Sequence, residues 1–129
     1  MDAGTNSGGA IPHWMKLFSL VLPGAHQGNA DAQWEAGELW LHFGGATELA
    51  LYWYRQAARQ GHEVAAYSLA VYHFHARGLY RDPEEALYWC YIASIGGNER
   101  AGRLYPVIRG AVSQRLADRV AARLCRDKW

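Results

Sequence analysis

The sequence predicts an all-helical fold, built as a short solenoid of antiparallel helix pairs. The first observation is an internal repeat: the tetrapeptide ALYW at residues 50–53 recurs at residues 86–89, 36 positions later. The second is the spacing of Gly28, Gly61 and Gly97, which lie 33 and 36 positions apart and divide the chain into similar units. Self-similarity at this period is typical of helical repeat arrays. The third is that no segment alternates between apolar and polar residues for long, so no strand is predicted.

Glycines and capping residues place the individual helices. Each of these three glycines can adopt the left-handed backbone that closes a helix. Asn29 and Asn98 follow directly and can cap the next helix, and the run DPEE at residues 82–85 is a helix start with proline in the first turn. We expect helices at about residues 12–23, 30–43, 47–60, 63–76, 83–95, 98–108 and 111–126. Residues 1–11 then form a flexible leader, and residues 12–129 a single repeat domain.

Small and aromatic side chains recur at spacings that predict the core. The small residues, which let paired helices approach closely, are Ala32, Ala36, Gly37, Ala50, Ala65, Ala70 and Ala86. The larger residues, which fill the space between pairs, are Trp40, Trp53, Tyr54, Leu69, Trp89 and Cys90. A buried aromatic ring contributes roughly 2–3 kcal/mol, so these rings should dominate the core. The last predicted helix presents Leu116, Val120 and Leu124 on one face to seal it.

Length, charge and cysteine usage limit the possible classes of protein. The chain has 129 residues, half of them apolar, which suits one compact domain. Its net charge of +1 does not predict a nucleic-acid binder, although residues 55–129 carry twelve basic and seven acidic side chains. Two cysteines do not make a disulfide framework, and no apolar run reaches the roughly 18 residues of a membrane span. We therefore expect a cytoplasmic protein; translation from Met15 would instead give a signal-like start and a periplasmic protein.

The two units resemble Sel1-like repeats, relatives of the tetratricopeptide repeats. The second unit carries the pattern at Ala65, Leu69, Ala70, Gly78, Leu79, Asp82, Ala86, Trp89, Ala93 and Gly97. The first unit carries it at Ala32, Ala36, Gly37, Trp40, Ala50, Trp53, Tyr54, Ala57, Ala58 and Gly61, without the glycine-containing connector and the aspartate. The repeats span about residues 28–60 and 61–96, flanked by partial repeats and a capping helix. The resemblance implies a right-handed α-solenoid whose concave face binds a partner protein. Such a protein acts as a bacterial adaptor or scaffold in signalling or secretion, or as an immunity protein that neutralises a toxin.

The first helix of each pair lines the inner surface of such a solenoid, and its side chains four residues apart share a face. We expect a partner-binding ladder from three such helices, at Trp34, Glu38, His42, Tyr67, Val71, His75, Arg103 and Val107. Aromatic and arginine side chains are enriched at interface hot spots. The two aromatic rings could instead belong to the core, and the two histidines could be solvated polar groups.

A secondary basic patch is predicted on the last helix, where arginines recur every four residues. Its members are Arg115, Arg119, Arg123 and Arg126. Arginine binds carboxylates and phosphates in a bidentate manner, so the patch makes nucleic-acid binding a third candidate function. The alternative is a solvated face, because Asp118 and Asp127 lie nearby in sequence.

No group of side chains predicts catalysis, a cofactor or a metal. His73 and His75 are two residues apart and point to different sides of a helix, and neither cysteine has a second ligand at metal spacing. Gly44 and Gly45 are not followed by the lysine of a phosphate-binding loop, and Cys90 occupies a repeat core position. We therefore expect a non-enzymatic protein whose partner is another protein. Its oligomeric state stays open, since a short array can also associate through its ends.

Overall fold

The computed structural model describes residues 11–76 and 81–127, and in them the predicted all-helical fold is confirmed. The helices are α1 (His13–His26), α2 (Ala30–Leu39), α3 (Thr47–Arg59), α4 (Glu63–His75), α5 (Pro83–Ile95), α6 (Glu99–Ala111) and α7 (Gln114–Asp127). A π-helical turn, Trp40–Gly44, extends α2. From α1 to α6 each helix packs against the next one along the chain, and α7 packs against α5. The helices α2, α4 and α6 are therefore the first helices of successive pairs, and α3, α5 and α7 the second.

The helix ends are formed by left-handed glycines and by capping hydrogen bonds that recur in successive units. Gly28, Gly61 and Gly97 have φ values of 94°, 90° and 97°, which residues with a side chain rarely adopt. After each glycine, the next backbone N–H donates to a carbonyl five residues earlier, for example from Asn98 to Ala93 at 3.0 Å. The caps predicted before α2, α5 and α6 are all confirmed by side-chain hydrogen bonds to the first turn. The predicted Gly78–Leu79 connector lies outside the described residues.

Two predicted helix ends were wrong, and both helices contain a proline. The helix predicted to end at residue 23 continues past Pro23 to His26, and the helix predicted to end at residue 108, which already contained Pro106, continues to Ala111. A proline removes only one backbone hydrogen bond, and both rings are exposed. The residues that follow are buried, with Ala25 and Ile108 at 1% and 0% exposure. Packing of these side chains offsets the lost hydrogen bond. The last helix correspondingly begins at residue 114 instead of 111.

The core lies between successive pairs and repeats its contents. Trp53 and Trp89, which are equivalent in the two units, are 7% and 2% exposed. Most of the predicted small and large core residues are buried, while Trp40 is half-buried and packs edge-on against Phe18 of α1, with ring centroids 4.8 Å apart. On α7, Val120 is buried, and its two leucine neighbours pack against the same cluster. The helix α7 thus covers the last repeat, as its apolar face predicts.

Candidate partner-binding groove

Three adjoining hollows run along the first helices, and together we call them the groove. The hollow at the α1 end has a volume of about 260 Å³ and is lined by Leu17, Val21, Trp34, Glu35, Glu38 and Leu39. The central hollow, of about 350 Å³, is lined by Glu38, Leu41, His42, Tyr54, Tyr67, Ser68, Val71, Tyr72 and Arg100. The hollow at the α6 end, of about 440 Å³, is lined by Tyr67, Arg100, Arg103, Leu104 and Val107. Glu38 joins the first two hollows, and Tyr67 and Arg100 join the last two, so the groove is continuous.

Trp34 belongs both to the core and to the groove. Its indole N–H donates to the Ser68 hydroxyl of α4 at 3.3 Å, and its ring stacks on His62 with centroids 5.9 Å apart. The side chain packs against the buried cluster, yet part of it lines the hollow at the α1 end. Because these contacts fix the ring, it offers a rigid apolar wall, and its removal would also disturb the packing of α2 on α4.

Glu38 is held in place by a hydrogen bond from the next helix. The Tyr54 hydroxyl donates to its carboxylate, and the pKa of Tyr54 is strongly raised, first by burial and then by the hydrogen bond and charge of Glu38. The ring of Tyr54 reaches this position because residue 37 is glycine. A Cβ on Gly37 would lie 2.7 Å from the ring. On the outer side, the imidazole of His42 is 3.7 Å from the same carboxylate and 58% exposed.

The middle of the groove is formed by α4, but not by all the residues predicted there. Tyr67 and Val71 are half-buried and line the central hollow. His75, their predicted companion, lines none of the three hollows; it is exposed, and its ring lies edge-on to Phe74 at 5.2 Å. The repeat offset placed His75 level with His42, whereas the π-helical turn at residues 40–44 changes the backbone at His42 alone. The ladder therefore stops at Val71 on this helix.

The α6 end of the groove is basic, and the residues that line it include one more arginine than the sequence predicted. Arg103 and Val107 line it as expected, and Val107 is 57% exposed. Arg100 lines both this hollow and the central one, although the four-residue ladder did not include it. It lies one turn before Arg103 on the same face, so the i,i+3 spacing of the two arginines was the signal that could have found it.

The predicted basic patch on α7 does not form a single stripe of unpaired arginines. Arg119 pairs with Glu84 of α5 at 3.0 Å, and Arg123 pairs with Glu85. Burial lowers the pKa of Arg123, but its hydrogen bond and attraction to Glu85 outweigh burial, so its pKa is raised. Both guanidinium groups thus form ion pairs between α7 and α5. The spacing of the arginines along the sequence could not reveal these partners. The other two members, at positions 115 and 126, are exposed.

Among the described residues, no group of three His, Cys, Asp or Glu side chains is placed to hold a metal ion. None of the helices in the described ranges combines the length and the apolar character needed to cross a bilayer.

The sequence profile of the Sel1 repeat matches residues 30–62 and 64–98, which is more than half of the chain. The chain belongs to the Sel1 repeat family. Its two matched units coincide with the pairs α2–α3 and α4–α5, so the predicted resemblance is confirmed. Sel1 repeats generally mediate protein–protein interaction and are typically non-catalytic. No curated protein and no solved structure gives a significant match to the chain.

Proposed function

We propose that this Sel1 repeat protein is an adaptor that captures an extended segment of a partner protein in the groove. The observation that carries this proposal is the continuity of three hollows across α2, α4 and α6, with combined apolar, acidic and arginine linings. Helices packed directly on each other lie about 8–10 Å apart, so the distance from α2 across α4 to α6 is at least about 16–20 Å. An extended chain needs at least about five or six residues to cover that distance.

The charges of the groove favour one orientation of the segment. The α1 end carries Glu35 and Glu38, and the α6 end carries Arg100 and Arg103. A bound segment is therefore expected to place basic or polar residues over α2 and acidic residues over α6, with an apolar side chain in the hollow beside Trp34. Charge complementarity of this kind sets register and partner choice more than affinity.

The partner could be a component that the adaptor brings to a signalling or secretion assembly, or a toxin that it neutralises. Both roles would use the same groove, and they differ in what the captured protein does. The open linear groove suits an extended segment better than a folded active site. We therefore favour the adaptor role and treat toxin neutralisation as the alternative.

The test changes groove residues that the core does not need. Trp34 and Tyr67 pack against the core, so their replacement would confuse binding with folding. Arg103 and Val107 are exposed, and the double variant Arg103→Glu/Val107→Asp changes only the α6 end. The matched control is Arg115→Glu/Ile95→Asp, which makes the same charge reversal and also replaces an exposed β-branched side chain by aspartate, at positions that line none of the three hollows.

Affinity capture from the native host with the unmodified chain identifies the partner, and calorimetry with the purified partner then measures affinity. We expect the groove variant to bind at least tenfold more weakly, about 1.4 kcal/mol, with the control unchanged. Equal affinity of the groove variant and the unmodified chain would show that the partner binds elsewhere. Toxin neutralisation would be supported instead if the captured protein is a toxin whose activity the chain inhibits.

A further inference from the structure

A second cleft opens between the second helices α3, α5 and α7 and shares no lining residue with the groove. Its volume is about 400 Å³, and three arginines and two carboxylates face it together with two aromatic rings: Arg55, Arg59, Glu85, Tyr88, Trp89, Arg123 and Asp127. Sites for small organic ligands typically have volumes of about 300–1,000 Å³. The cleft is thus large enough for a small molecule and is lined mainly by charged groups.

Both carboxylates in the cleft are already satisfied by donors from α5 and α7. Glu85 accepts from the Trp89 indole N–H at 3.2 Å and pairs with Arg123. Asp127 accepts from the Tyr88 hydroxyl, and its carboxylate is 3.8 Å from Arg123. The guanidinium of Arg123 also lies over the Tyr88 ring, 3.6 Å from its centroid. One arginine therefore contacts both acids and forms a fixed wall of the cleft, which keeps a net charge of −1 from one guanidinium and two carboxylates.

The two arginines of α3 stand across from this wall without such partners. Arg55 and Arg59 are one helical turn apart, and within the part of the chain that the structure describes no carboxylate lies within 4 Å of either. Arg55 is half-buried, where an arginine is most stable if an anion or acceptor satisfies its N–H groups. Like charges one turn apart also repel each other. An anion bound between the two guanidinium groups would relieve both costs.

The repeat does not account for these arginines. The equivalent positions in the second unit, 36 residues later, are Tyr91 and Ile95. Neither the stacking of the pairs nor the helix ends require a basic residue at this place. The two arginines are therefore specific to the first unit and to the cleft that it forms with α7.

We propose that the cleft binds a small oxyanion, with a phosphate or carboxylate group held by Arg55 and Arg59. The planar guanidinium group forms paired hydrogen bonds with both kinds of oxyanion. Arg123 offsets part of the charge of the two acids, and with Arg55 and Arg59 the lining has three positive and two negative groups, a net charge of +1 that favours an anion. The site is independent of the proposed partner groove.

Isothermal titration calorimetry with pyrophosphate and with citrate, at constant ionic strength, tests the proposal and separates the two sources of the oxyanion. We expect saturable binding of at least one of them to the full chain. The variant Arg55→Gln/Arg59→Gln should bind at least tenfold more weakly. The matched control is Arg115→Gln/Arg126→Gln, which removes the same charge from exposed positions on α7 and should leave affinity unchanged.

A second measurement keeps the test independent of how the variant folds. In the unmodified chain, the side-chain Nε–H resonances of Arg55 and Arg59 should shift with the same dissociation constant as the calorimetric titration. Binding of citrate alone would assign the site to carboxylates, and binding of pyrophosphate alone would assign it to phosphates. The proposal is overturned if neither anion saturates, if the control weakens binding as much as the cleft variant, or if these resonances do not move.

Discussion

His62 occupies the position before α4 that an asparagine holds before α2 and before α6. Its Nδ1 atom accepts a hydrogen bond from the Ala65 backbone N–H at 3.1 Å, and its Nε2 atom lies 2.8 Å from the Asp31 carboxylate. The equivalent asparagines, Asn29 and Asn98, accept from the first turn at 2.9 and 2.8 Å. The imidazole side chain is only 13% exposed, and it both caps α4 and stacks on Trp34, which lines the groove. Two substitutions can separate these roles.

The variant His62→Ala removes the cap and the ring, whereas His62→Asn restores the cap used at the other two positions. Loss of a cap costs about 1 kcal/mol, and loss of a largely buried ring stacked on Trp34 costs about another 1 kcal/mol. We therefore expect the alanine variant to lose about 2 kcal/mol of unfolding free energy and the asparagine variant about 1 kcal/mol. The variant Asp31→Asn should change stability little, because that carboxylate is 86% exposed and its pairing is screened by water.

Urea unfolding followed by circular dichroism at 222 nm measures these differences, with the thermal midpoint as a second measure. At this chain length, 1 kcal/mol corresponds to a shift of about 3–6 °C in the thermal midpoint. The reasoning is refuted if the asparagine variant is as unstable as the alanine variant, because the hydrogen bond from Ala65 would then contribute nothing. A large loss in Asp31→Asn would likewise show that the hydrogen bond to Asp31, and not the cap, fixes the imidazole.

Further predictions concern three positions in the core and on α7. Gly37→Ala should lower the unfolding free energy by about 1–3 kcal/mol, because the new Cβ would lie 2.7 Å from the Tyr54 ring; unchanged stability in urea would show that the ring moves freely. Burial raises the pKa of the Cys90 thiol to about 12, so in the native protein only the exposed Cys125 should react with Ellman's reagent. In the unfolded chain the Cys90 thiol has its ordinary pKa of about 9 and loses its proton at a lower pH than in the folded protein. The free energy of unfolding should therefore fall as pH rises from about 9 to 12, and less steeply in Cys90→Ala. Equal pH slopes in the two proteins would contradict this. Arg123→Met should cost about 1–2 kcal/mol, measured by urea unfolding, because two carboxylates lose their cationic partner; no change would indicate that water already screens the pairs.

Features that depend on residues close in sequence were predictable. The glycine ends, the asparagine caps and the DPEE start each depend on a few neighbouring residues, and the structure contains all of them. The cap by His62 escaped prediction because histidine is not a preferred capping residue, and its role depends on Asp31 and Trp34 of the preceding pair. The continuation of α1 through Pro23 depends in the same way on the burial of Ala25.

The candidate site was predictable only where repeat position determines exposure. The spacing of four residues along α2 and α4 placed Trp34, Glu38 and Tyr67 on the inner face, and these side chains line the hollows. It could not show which polar groups are paired within the chain. Arg119 and Arg123 look like a basic stripe in sequence, but their partners are carboxylates 35 and 38 residues away.

The comparison of the two units suggests where specificity resides in this protein. Positions that hold the pairs together are the same in both units, as Trp53 and Trp89 are, because both must fill the same space. Positions that face the groove or the cleft differ: Glu38 corresponds to Val71, and Arg55 corresponds to Tyr91. A substitution at a shared position would disturb stacking and therefore stability, whereas one at a differing position leaves the stack intact and changes what the surface contacts. Binding can thus diverge between units without cost to the fold, since each unit needs its neighbours only through the shared positions.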